Sequence, residues 1–180
     1  MANLKKMIGL AVLAASLAAI SAEAQFNTTG TTSVSVVVGA EASIQVNTAT
    51  TTLSNVGTIF ANYTGTTSLT FKMRTTKTGG SGSITLKVTS DFSPASGPSV
   101  ATPPTAGDAL SYTCTVATGT ACTGSVNSST ASSTSVATFG ADFHSASAGN
   151  AASVAWTLTD DPTYKTGTYA ATVTFTVAAL

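Results

Sequence analysis

Charge is what this chain has least of. Only 8% of its 180 residues are charged, seven basic against seven acidic, and there is one histidine. A nucleic-acid partner needs a basic stripe to neutralise phosphates, and no such stripe exists here, so the composition argues against nucleic acid as a partner. Metal ligands are equally scarce: Cys114 and Cys122 are the only cysteines and His144 lies far from them, so neither a metal nor a cofactor is expected. After residue 22 no apolar run approaches the roughly 20 residues that a membrane-spanning helix needs. Helical periodicity is missing as well, since no segment beyond the first 24 residues repeats its apolar positions at 3.6.

The first residues are built differently. Lys5 and Lys6 precede an uncharged, mostly apolar stretch from Met7 to Ala22, and Ala22-Glu23-Ala24 has the small-x-small form of a signal-peptidase site. The stretch is too short to span a bilayer, so a cleaved export signal is expected, with Gln25 as the mature N-terminus and no membrane span after cleavage. The chain then divides into a signal peptide (1–24), an N-terminal extension or first strand (25–41) and a folded domain (42–180). The expected location is secreted, at the extracellular cell surface, after export through the inner membrane. Loss of Lys5, Lys6 and Glu23 leaves five basic and six acidic residues. An even cysteine count in an exported chain favours a Cys114–Cys122 disulfide, at the ends of a hairpin whose tip is 117–120. Closing so short a loop contributes only ~2–3 kcal/mol.

In place of charge there is threonine, serine, glycine and alanine, in alternation with apolar residues. From Ser33 to Asn47 one face reads Val34, Val36, Val38, Ala40, Ala42, Ile44 and Val46, which is a period of two over an unusually long stretch, with Gly39 a point where it can break. Leu69, Phe71 and Met73 alternate with polar residues, and so do Ile84, Leu86 and Val88 across the Gly79–Gly82 turn, a pattern that predicts a hairpin. Leu110, Tyr112, Cys114 and Val116 share a face, as do Val154, Trp156 and Leu158. Four of the five prolines fall within 93–107, which reads as a loop crossing between sheets, and 125–135 reads as an exposed loop. The fold class that follows is all-β: an immunoglobulin-like antiparallel β-sandwich of about seven to nine strands.

Catalytic groupings are not apparent, and the chain is not expected to be an enzyme. Asp142, His144 and Ser145 offer triad residue types, but neighbours along a strand point to opposite faces and do not converge. Asp160-Asp161 precedes Pro162 and reads as a turn, not as a calcium site with its ~6–8 oxygens. Trp156 is expected in the core, Tyr63 and Tyr164 as exposed rings.

Leu53-Ser54-Asn55-Val56-Gly57-Thr58, the strand 68–74 and the ending Thr166-Gly167-Thr168-Tyr169-Ala170-Ala171-Thr172-Val173-Thr174-Phe175-Thr176-Val177 together resemble bacterial chaperone–usher fimbrial subunits and secreted spore coat U-type proteins. Gly167 is fourteenth counting back from Leu180, where fimbrial subunits commonly carry a glycine. The chain departs from that pattern in the place of its cysteines and in Ala179, where the family has an aromatic residue. The resemblance implies an extracellular structural subunit of a filament, pilus or coat, assembled by β-strand complementation. Its partners would be copies of itself or other surface subunits, with a periplasmic assembly chaperone. Val34, Val36, Val38 and Ala40 would form the donor strand, and Gly167, Tyr169, Ala171, Val173, Phe175 and Val177 the C-terminal strand motif. Two alternatives stay open: residues 33–47 as one long strand completing their own domain, and a monomeric adhesive module that binds carbohydrate or protein through its loops.

Overall fold

The computed structural model describes residues 29–55 and 57–180, so the signal segment and the expected cleavage point lie outside the described residues. Among the described residues are ten strands and no helix: β1 (Glu41–Val46), β2 (Ser54–Asn55), β3 (Tyr63–Arg74), β4 (Gly82–Ser93), β5 (Leu110–Val116), β6 (Thr120–Ala121), β7 (Val126–Asn127), β8 (Thr134–Phe139), β9 (Asn150–Leu158) and β10 (Ala170–Ala179). They form two antiparallel sheets. One runs β1-β3-β9-β5-β7, and β2 joins it on the edge of β3 that β1 also uses; the other runs β10-β4-β8-β6. The chain is the all-β antiparallel sandwich that its alternation implies.

Each long strand turns its apolar set inward because side chains along a strand alternate between faces. Leu69, Phe71 and Met73 of β3, Ile84, Leu86 and Val88 of β4, and Val154, Trp156 and Leu158 of β9 meet in one core with Leu110, Tyr112, Val136 and Phe139. The ring of Phe71 lies 5.1 Å from Phe139, and Tyr112 meets Trp156 edge-on at 5.5 Å. The polar handles of the two largest core rings are both satisfied. Trp156 Nε1 donates to Thr67 Oγ1 at 2.8 Å, and the Tyr112 hydroxyl donates to the Ser135 carbonyl at 2.9 Å and lies 2.7 Å from the Thr134 hydroxyl.

Several connections differ from the sequence expectation. β3 and β4 are not a hairpin: they belong to opposite sheets, and residues 75–81 arch between them. Cys114 and Cys122 do not close a hairpin either. β5 lies in one sheet and β6 in the other, so the disulfide (S–S 2.02 Å) ties the two sheets together at that end. The segment 125–135 is no free loop, since β7 pairs with β5 and Ser128 is buried. Tyr63 and Tyr164 are half-buried, not exposed; Tyr63 packs against the core and the Tyr164 hydroxyl donates to Asp108 at 3.0 Å. Of the alternating stretch 33–47, only Glu41–Val46 is strand. The proline-rich segment does cross between sheets, from β4 to β5.

That crossing is organised by one carboxylate. Asp91, near the end of β4, accepts hydrogen bonds from the backbone N–H groups of Phe92 (2.8 Å), Val100 (2.8 Å) and Ala101 (3.1 Å) and from the Ser99 hydroxyl (2.7 Å). Partial burial works to raise its pKa, but the donors at Val100, Ser99, Ala101 and Phe92 outweigh it, and the carboxyl sits below its ordinary value.

Two outcomes follow from this packing. Trp156→Ala should cost ~3–5 kcal/mol in chemical denaturation, because it removes a buried ring and orphans Thr67. Asp91→Ala should cost about 2–3 kcal/mol at neutral pH. Because the native pKa is lowered, that contribution is complete above about pH 4 and lost as pH falls through the native value. The gap between wild type and Asp91→Ala, measured by urea unfolding from pH 7 to pH 2, should therefore close at the acid end.

Candidate functional site

The compact body spans Val38–Leu180, so of the expected donor strand Val34 and Val36 precede it and Val38 and Ala40 fall at its start. From 29 to 40 the chain has no strand pairing, turn or bend. Val34, Val36 and Val38 are 90%, 83% and 61% exposed, and Ala40 is half-buried. Three exposed valines at period two are a strand face without a sheet. Immediately before β1 the backbone is pinned: the Gly39 carbonyl accepts from Arg74 Nε at 2.8 Å, and Arg74 Nη2 also reaches Glu41 Oε2 at 3.2 Å. That ion pair is exposed, so it contributes little energy and serves mainly to fix direction.

The body itself is incompletely closed along one side. β1 and β10 are the end strands of the two sheets, paired only to β3 and β4 respectively among the described residues. Their Cα atoms come within 8 Å of each other without joining into one sheet. The inward residues of β4 are sealed, with Ile84, Leu86 and Val88 no more than 1% exposed. Those of β10, one strand further out, are not: Ala171, Val173, Phe175, Val177 and Ala179 are all only half-buried. Across from them Ala42 and Ile44 are half-buried and Val46 is exposed. An apolar strip from two strands thus lines a seam that the body does not cover.

The C-terminal motif residues divide between the seam and its end. Ala171, Val173, Phe175 and Val177 face it from β10. Tyr169 sits just before the strand, its ring on Gly97, where a Cβ would fall within 2.3 Å of the ring; its hydroxyl donates to the Lys165 carbonyl at 2.6 Å. Gly97 is therefore obligatory for the Tyr169 contact. Gly167 is not: a Cβ there would meet only ordinary contact with Tyr169, at 3.5 Å. At the far end of β10, Leu180 is bound into the β3–β4 arch through Ser81 and Thr76. The Cys114–Cys122 disulfide lies elsewhere, joining the end of β5 to the segment after β6.

Asp142, His144 and Ser145 form no hydrogen bond to one another. His144 forms an isolated bridge with Arg74, the Ser145 hydroxyl accepts from Met73 N–H at 2.9 Å, and the Asp142 N–H donates to Thr76. The β1 side of the seam, Ala42, Ile44 and Val46, was legible as a continuation of the valine alternation, but only the sheet topology sets it opposite β10. Asp91 and Asp108 carried no sequence signal, because their partners are distant turns. Compared with family models, with curated proteins and with solved structures, the chain matches none.

A free edge has a direct physical signature. Amides of β10 that point toward β4 should resist hydrogen exchange, while the alternate amides facing the open edge should exchange at least tenfold faster in residue-resolved NMR. Uniform protection along both edges of β10 would mean that the seam is already closed.

Proposed function

We propose that this chain is an extracellular structural subunit of a surface filament, pilus or coat. Subunits join when the valine segment of one copy lies along the β1–β10 seam of the next. The observation that carries this reading is the presence, in one chain, of a half-covered apolar seam and an unpaired segment with the alternation to cover it. Val34, Val36 and Val38 are the plugs, and each is worth up to roughly 1.5–3 kcal/mol when fully buried. The added strand also brings main-chain hydrogen bonds at about 1 kcal/mol net each, which is how strand addition combines affinity with register.

Exchange between copies is favoured over self-completion by the local backbone. The segment 29–40 carries no turn or bend that would make a hairpin with β1, and Gly39 at its end is held by Arg74. A strand placed between two others needs about 9.5 Å from neighbour to neighbour. Some β1 and β10 Cα atoms lie within 8 Å of each other, closer than that, so insertion has to part the two strands there. The unassembled subunit therefore keeps a partly closed seam, and a periplasmic chaperone strand that holds it open would speed assembly.

The test is assembly itself. The chain recovered from its native compartment should form ladders that survive mild detergent and collapse on boiling. Deleting residues 26–39 should leave a soluble body that does not polymerise, and a peptide of residues 29–40 should raise its melting temperature in proportion to log concentration. A stable monomer without fibres by negative-stain microscopy, whose body is indifferent to the peptide, would replace this reading with the monomeric adhesive module.

A further inference from the structure

The connection from β2 to β3 presents apolar side chains to water. Ile59 is 89% exposed and Phe60 57%, and Phe60 is the only exposed aromatic ring among the described residues, the others being buried or half-buried. A ring left in water gives up the burial that makes its counterparts stabilising.

The turn itself holds the ring out. The Thr58 carbonyl accepts the Ala61 N–H at 3.0 Å, which closes a turn with Ile59 and Phe60 at its two central positions. Phe60 has a φ of +58°, the left-handed conformation that turns reserve for glycine or asparagine at that position. A bulky side chain there is strained, and strain of this kind clusters where a ligand is met. Asn55 braces the turn from both sides: its Oδ1 accepts the Gly57 N–H at 3.0 Å, and its Nδ2 donates to the Ala61 carbonyl at 2.5 Å.

Beside the tip the groups are polar and planar. Asp160 Oδ2 lies 3.5 Å from Asn55 Nδ2. The exposed Asn62 accepts the Asp160 N–H on its Oδ1 at 3.4 Å, which leaves its NH2 group to donate elsewhere. No charged residue occurs between Glu41 and Lys72, so Asp160 is the one charge in this group. An aromatic face flanked by an amide and a carboxylate is complementary to a pyranose, which has an apolar C–H face and a rim of hydroxyls that donate and accept. The carboxylate disfavours an acidic sugar or an anionic lipid surface.

We propose that Phe60, with Asn62 and Asp160, binds a neutral glycan of the hexopyranose class. The ring stacks on the face of one sugar, and the amide and the carboxylate bind its hydroxyls. All three residues lie outside β1 and β10, so the site does not depend on whether subunits polymerise. In a filament every copy carries one such tip, and weak contacts with a polymeric glycan then combine through multivalency.

Cellohexaose, mannohexaose and chitohexaose serve as probes, titrated into the isotope-labelled protein and followed by NMR. At least one should bind saturably and shift the amides of residues 57–62 and 159–161, whereas polygalacturonate, an acidic polymer, should not. Phe60→Asn removes the ring and suits the left-handed turn, so it should weaken binding about tenfold while raising the melting temperature by about 2–4 °C. Asn62→Ala should also weaken binding, while Thr174→Ala, at an exposed position of β10, should leave it unchanged. The proposal is overturned if none of the three hexasaccharides binds or if Phe60→Asn binds as tightly as wild type. It is also overturned if Phe60→Asn loses binding only together with a lower melting temperature, which would make the ring structural. Phe60-dependent cosedimentation with phosphatidylcholine vesicles, in place of glycan binding, would overturn it in favour of a membrane contact.

Discussion

Everything in this fold depends on burying the inner faces of two sheets against each other. With 8% charged residues there is little else to hold it. The core runs through the middle strands β3, β9, β4 and β8, where alternate positions are sealed from water. Burial at roughly 25 cal/mol per Å² rewards only surface that is covered, so the sandwich is strongest at its centre and weakest where a sheet ends. The edges are therefore where the fold is least protected.

The two edges are unlike. At one, β5, β6 and the Cys114–Cys122 bridge tie sheet to sheet covalently, and β7 covers the flank. At the other, β1 and β10 approach without pairing, and their inward residues stay half-covered. Natural sandwiches usually protect a free edge with charge, proline or a bulge. Here β10 contributes alanine, threonine, valine and phenylalanine, and its only irregularities are register shifts at its beginning. The same chain carries an apolar edge without these guards and, before it, a valine alternation with no strand partner among the described residues.

The ends of the sandwich are held by polar devices instead. Asp91 folds the proline-rich crossing around its carboxylate, and Tyr169 stacks on Gly97 at the threshold of β10. The Asp108–Asp161–Tyr164 group lies in the same pair of loops. These loops carry few apolar residues, so directional hydrogen bonds do there what packing does in the core.

The sequence by itself determined the class of fold and most of the core. Period-two alternation dictates which side of a strand is apolar: of the residues it assigns to the core, Leu69, Phe71, Ile84, Leu86, Val154 and Trp156 are buried, while Val173 and Phe175 pack against them only half-buried because β10 ends its sheet. Alternation says nothing about which strand is the hydrogen-bonded neighbour. A hairpin and an arch between sheets bear the same pattern, which is why β3–β4 and β5–β6 were read as hairpins and are not. Likewise the alternation from Val34 to Val46 was legible as one continuous strand, yet only Glu41–Val46 finds a partner, since pairing requires an available edge. The seam, the reach of the disulfide across two sheets and the meeting of Asp108 with Asp161 were decided by tertiary structure alone, because each joins residues whose proximity depends on the order of strands.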